Sequence, residues 1–175
     1  MNAPRLKKIT LSFATFFIIL ILYLLDDAST QSSPPDSLAP PSVSRVLVTR
    51  IIDGDTIELE TGDKVRYIGV NTPESVDPRR EVQCFGIEAS VYNKNLVLNK
   101  KVRLEKDISE TDKFGRLLRY IYLEDGTFIN LKLINDGYGY ASAYPPDVAH
   151  SEEFVDAQRQ ARENGLGLWS ACEKS

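Results

Sequence analysis

Asp53 and Asp55 stand two residues apart in IIDGDTIEL, with Gly54 between them. On a strand, residues i and i+2 point to one face, so both carboxylates can serve one site. Gly54 permits a bulge or a close backbone approach. Alone, the fragment also reads as a surface turn, because Asp-Gly is a common hairpin signal. The stretch RYIGVNTPES, residues 66–75, is a second concentration of polar groups: Arg66, Asn71, Thr72 and Glu74 around a strand that Pro73 must end. TDKFGRLLRY, residues 111–120, puts Lys113 in a loop and Arg116 at the start of a strand. AYPPDVAH, residues 143–150, carries Tyr144 in a proline-rich loop. Carboxylates and carbonyl oxygens suit a hard cation such as Ca²⁺. Arginine stays charged, and its planar fork can donate two bonds to phosphate oxygens.

These residues need a rigid frame, and the patterning supplies one. Residues 46–52, 56–60, 64–70, 102–106 and 117–123 are rich in β-branched and aromatic residues and read as strands. Thr61-Gly62-Asp63 makes a hairpin connection, and Glu124-Asp125-Gly126 closes the last strand. Residues 87–98 suit a helix with Ile87, Val91 and Leu98 on one side and Ala89, Tyr92 and Leu96 widening the stripe. A short helix is expected at 129–136, ended by Gly137. A third is expected at 150–164, with Phe154, Ala157 and Ala161 on one face and Gly165 as its C-cap. Five strands with helices among and after them indicate an α+β fold, and closing the small sheet removes its exposed edges.

The folded domain is expected at 45–175. Before it, Arg5, Lys7 and Lys8 precede 17 uncharged residues, 9–25, rich in Phe, Ile and Leu. As a helix that segment spans ~26 Å, a little short of a ~30 Å hydrocarbon core. Residues 1–25 are expected to be a signal anchor or signal peptide, the former favoured because Ala28-Ser29-Thr30 is a poor cleavage site. The charge order places the following chain outside the cytoplasm, secreted or held at the membrane by one span. Residues 26–44, with two Pro-Pro pairs and many serines, read as a disordered linker. The net charge of -4 argues against holding nucleic acid by bulk charge, so basic residues must gather locally. Cys84 and Cys172 are the only cysteines, and export makes a disulfide between them the expectation; two unpaired thiols are the alternative. His150, the one histidine, stands just before the last helix, a place that suits a cap or surface role.

In order along the chain, IDGDT, the R-x-x-x-V-x-TPE segment, CFG-x-EAS, TD-K-aromatic-GR and the closing LWS resemble the staphylococcal nuclease (thermonuclease) family over roughly residues 46–169. The resemblance implies a five-stranded OB-type barrel with three helices. It implies a calcium-dependent hydrolase that cuts phosphodiester bonds of DNA and RNA, single-stranded or locally opened, with little sequence preference and leaves 3′-phosphate ends. By resemblance Asp55, Asn71 and the Thr72 carbonyl are metal ligands, with Asp53 in the outer shell. Arg66 and Arg116 grip the phosphate, and Glu74 orients or deprotonates the attacking water. Lys113 and Tyr144 line the nucleotide groove. Asn71 stands where the family usually has a carboxylate, so weaker metal binding is expected. Phe114 stands where tyrosine is frequent, and Ser142 offers no second tyrosine beside Tyr144. The alternative is a module of the same fold that binds nucleic acid or protein without cutting.

Overall fold

The computed structural model describes residues 44–76, 78 and 81–172. The expectations for the N-terminal segment 1–25 and the linker up to residue 43 lie outside the described residues. Five strands close a barrel: β1 (Arg45–Asp53), β2 (Thr56–Leu59), β3 (Lys64–Tyr67), β5 (Lys101–Glu105) and β6 (Leu117–Tyr122), in the order β1-β2-β3-β6-β5. All neighbours are antiparallel except β3 and β6, which run parallel with Arg66 opposite Leu118. Val48, Ile57, Val65, Tyr67, Val102 and Ile121 fill the barrel interior, and alternation along each strand puts them there. The helices are α1 (Gly86–Val97), α2 (Ile129–Asn135) and α3 (Ser151–Glu163), with a four-residue α4 (Leu168–Ala171). The closed five-stranded barrel with three main helices is the expected α+β architecture.

Three differences from the sequence reading have physical causes. The expected strand 64–70 breaks at Ile68-Gly69, and Val70–Asn71 forms a separate β4 paired with β7 (Tyr140–Ala141). Gly69 has φ +75°, and a Cβ there would lie 2.3 Å from the Phe154 ring. The ring of α3 therefore seats on a residue that must lack a side chain. Gly69→Ala is expected to destabilise the fold by about 2–4 kcal/mol, combining backbone strain with overpacking. The urea midpoint checks this, and an unchanged midpoint would contradict the packing described.

The second difference is the buried face of α1. Gly86, Ala89, Asn93 and Val97 face inward, whereas Ile87 and Val91 are 59% and 50% exposed. Small residues win the inner face because they let the helix approach the barrel closely. Asn93 is fully buried and satisfied: it accepts from the Tyr67 hydroxyl at 2.9 Å and donates to the Asp53 carbonyl at 3.2 Å. Third, His150 takes the expected N-cap position of α3, its carbonyl accepting the Phe154 N–H at 3.0 Å, but its side chain makes no capping bond. Its ring packs edge-on against Tyr120 and Phe128, and Nδ1 lies 3.0 Å from Glu153 Oε2. Cys84 and Cys172 are joined by a disulfide, the pairing the sequence reading favours over two free thiols.

Candidate active site

One end of the barrel gathers the polar residues that the sequence scatters. β1 ends at Asp53, the Gly54-Asp55 turn follows, and β2 opens with Thr56. Across the ladder Thr56 faces Arg66 of β3, and parallel β6 begins just after Arg116. Gly54 serves close approach here. A Cβ on it would fall 2.6 Å from Thr72 Oγ1, so the turn can pack on Thr72 only as glycine.

Asp55 is the centre of the set and is nearly fully buried, at 4% exposure. Its Oδ1 pairs with Arg66 Nη1 at 2.5 Å and accepts from Thr56 Oγ1 at 3.2 Å. Its Oδ2 accepts from the Thr72 backbone N–H at 2.8 Å and from Thr72 Oγ1 at 3.1 Å. A buried carboxylate survives only with such partners. Arg66 also donates from Nη2 to Asn71 Oδ1 at 3.1 Å. One guanidinium thus stands between an Asp55 oxygen and an Asn71 oxygen. Asp53 Oδ1 accepts the Asp55 backbone N–H at 3.0 Å. Burial first, and then the neighbouring Asp55 carboxylate, push Asp53 up to about 7.

Arg116 joins from the other side. Its Nη1 lies 3.5 Å from Thr56 Oγ1, while Nε and Nη2 reach Asp112 Oδ2 at 2.7 and 2.6 Å. Asp112 Oδ1 accepts the backbone N–H groups of Phe114 and Arg116, which folds the loop into a tight turn. Burial opposes ionisation of Asp112, but these N–H groups and the Arg116 side chain hold it below the usual carboxylate range. Glu74 follows two residues after Thr72. Its Oε1 accepts the N–H groups of Ser75 and Val76, each at 2.9 Å. Lys113 and Tyr144 lie on two separate loops, outside this bonded set. Lys113 Nζ lies 5.0 Å from the centre of the exposed Phe114 ring, and Tyr144 is 80% exposed.

The structure therefore brings Asp53, Asp55, Arg66, Asn71, Thr72 and Arg116 into one connected group. Thr56, Asp112 and Asn93 complete it, and sequence reasoning missed all three. Both Thr56 and Asp112 stand inside quoted motifs, IDGDT and TD-K-aromatic-GR, but the sequence places them only on a strand and in a loop and gives them no part in the site. Among the described residues no group of three or more His, Cys, Asp or Glu side chains is placed to hold a metal ion. The donor chemistry still suits a hard divalent cation, because Asp55, the Asn71 amide and the Thr72 carbonyl all offer oxygen. A cationic guanidinium already resides between two of those oxygens.

A family model described as staphylococcal nuclease homologue matches residues 64–171. A thermonuclease of Staphylococcus intermedius is 38% identical over 171 residues, covering 94% of this chain and 99% of that protein. A thermonuclease of Staphylococcus hyicus is 38% identical over 170 residues, with the same coverage. Endonuclease YncB of Bacillus subtilis is 36% identical over 145 residues, covering 80% of this chain and 68% of that protein. Barrel topology, family match and full-length relatives agree: the chain belongs to the staphylococcal nuclease family.

Proposed function

We propose that this family member, a phosphodiester-cleaving hydrolase, is a calcium-dependent nuclease of DNA and RNA that works outside the cytoplasm. The observation that carries the reading is the meeting of Arg66 and Arg116 at Thr56 and the buried Asp55. Two guanidiniums beside a cluster of oxygen donors suit a phosphate and the charge that builds on it in the transition state. An arginine has five N–H donors, so pairing with Asp55 or Asp112 leaves others for phosphate oxygens. Ca²⁺ would be held by Asp55, the Asn71 side-chain oxygen and the Thr72 carbonyl, with Asp53 behind them. When bound it supplies positive charge next to the scissile phosphate.

Arg66 and Arg116 bind and orient the phosphate. Glu74 orients or deprotonates a water, whose oxygen adds to phosphorus as the P–O5′ bond breaks. The O5′ leaving group takes up a proton and the 3′-phosphate stays on the other fragment. Lys113 and the exposed Tyr144 line the nucleotide groove, and stacking on Tyr144 tolerates any base. The Cys84–Cys172 disulfide supports an extracytoplasmic setting.

Digestion of a 5′-labelled oligonucleotide tests the end chemistry. The expected fragments shift in mobility after phosphatase treatment, as 3′-phosphates do; fragments already ending in 3′-hydroxyls would overturn the proposed direction of cleavage. The metal assignment has its own test. Asn71→Asp adds a charged ligand and is expected to tighten Ca²⁺ binding about tenfold by calorimetry. Unchanged or weaker binding would remove Asn71 from the ligand set.

A further inference from the structure

Glu74 is the third acidic member of the proposed machinery, after Asp53 and Asp55. Its backbone is held from another direction. The Glu74 N–H donates to Gln83 Oε1 at 2.8 Å, and the Gln83 N–H donates back to the Glu74 carbonyl at 2.9 Å. Gly86 presses against the same carbonyl: a Cβ on Gly86 would lie 2.6 Å from Glu74 O and 3.2 Å from Pro73 O. The next residue after Gln83 is Cys84, bonded to Cys172.

Cys172 is itself fixed. Its N–H closes α4 on the Leu168 carbonyl at 3.0 Å, and the buried Leu168 donates to the Gly137 carbonyl at 2.9 Å. Trp169 of α4 packs edge-on against Tyr140, whose strand position pairs with Asn71. The C-terminal segment thus supports both ends of 71–74: Asn71 through Tyr140, and Glu74 through the disulfide and Gln83.

We propose that Gln83, Gly86 and the Cys84–Cys172 disulfide form a clamp that sets the position of Glu74, and that activity therefore depends on the disulfide being closed. Gln83 is a positioning residue, since it acts through Glu74. The inference rests on the reading of Glu74 as the water-directing carboxylate. Reduction by dithiothreitol breaks the single S–S bond. The reagent supplies two electrons and two protons, leaving two thiols on the protein and closing to its own cyclic disulfide. Displacing a catalytic group by about 1 Å costs on the order of a hundredfold, so releasing one side of the clamp has a measurable effect.

The test compares kcat and KM of the full chain in four forms: oxidised; reduced and alkylated; Gln83→Ala; and a Cys84→Ser/Cys172→Ser double variant with and without dithiothreitol. Circular dichroism fixes a temperature at which each form is folded. The clamp predicts that reduction lowers kcat about tenfold to a hundredfold with KM changed less than about twofold. Gln83→Ala lowers kcat in the oxidised protein, and dithiothreitol leaves the double variant, already slow, unaffected. The chain has no other cysteine, so that last arm isolates the bond. Unchanged kcat in the reduced form or in Gln83→Ala would overturn the clamp. Gln83→Ala retains the disulfide, so it decides the matter even if reduction unfolds the chain. Glu74→Gln separates the two ideas. If it loses activity while the clamp forms keep theirs, the clamp alone is wrong; if it keeps full kcat, the Glu74 reading fails and the clamp with it.

Discussion

Arg116→Ala is expected to lower kcat by about 10²–10³-fold while leaving the fold nearly as stable as the parent. The size follows from removing one fixed donor aimed at charge that develops in the transition state. The small stability effect follows from location. Arg116 keeps 27% of its side-chain surface exposed and its ion pair with Asp112 is partly solvated, so losing the pair costs little. Asp112 keeps its two backbone donors in the turn. Arg116→Lys keeps the charge but loses the fork that holds Asp112 and reaches Thr56, and is expected to recover only part of the rate. Steady-state kinetics beside a denaturant curve checks both statements. Arg66→Ala should behave differently, because Arg66 is the cation for the buried Asp55. Its removal strands a carboxylate, so stability falls along with rate. A stable, inactive Arg116→Ala beside a destabilised Arg66→Ala is the pattern that distinguishes the two arginines.

The Cys84→Ser/Cys172→Ser variant is expected to lose about 2–5 kcal/mol of stability. The bond joins residues 88 apart in sequence, closing a loop that holds β5, β6, β7 and all the helices while β1 to β4 lie outside it. In the chain-entropy account, a loop of that length restricts the unfolded ensemble strongly. Serine fits both positions sterically, so the loss reports the cross-link rather than packing. Urea denaturation checks it: the midpoint should fall, and the slope should rise because the uncrosslinked unfolded chain exposes more surface. An unchanged midpoint would mean that the reduced unfolded state already keeps those segments together.

The strands were legible because alternation of β-branched and polar residues specifies a face. Val46, Val48, Ile57, Val65 and Val102 turn inward as that pattern requires. The α1 face was not legible. Its inner side is made of Gly86, Ala89 and Asn93, chosen for closeness and for a hydrogen bond to Tyr67, and apolar periodicity is blind to both. The two-residue β4 and β7 carry no period, and α4 is too short to show one. In the site, the residues with distinctive chemistry, Asp55, Arg66 and Arg116, could be picked from motif and type. The residues that hold them could not. Thr56 matters because it lies between Asp55 and Arg116, sixty positions from the latter in sequence, and only the parallel pairing of β3 with β6 closes that distance. Gln83 matters only because Glu74 returns to it across a loop.

Asp55, Arg66 and Arg116 meet at one end of the barrel, and the proposed calcium-dependent cleavage rests on them. The most direct test incubates the purified full chain with single- and double-stranded DNA and with RNA, in millimolar Ca²⁺ or in excess chelator, beside Arg116→Ala. Cleavage of all three substrates is expected with Ca²⁺, fastest on single strands, with none in chelator and a loss of about two to three orders of magnitude in the variant. Absence of cleavage at millimolar Ca²⁺, or equal cleavage with chelator, would contradict it.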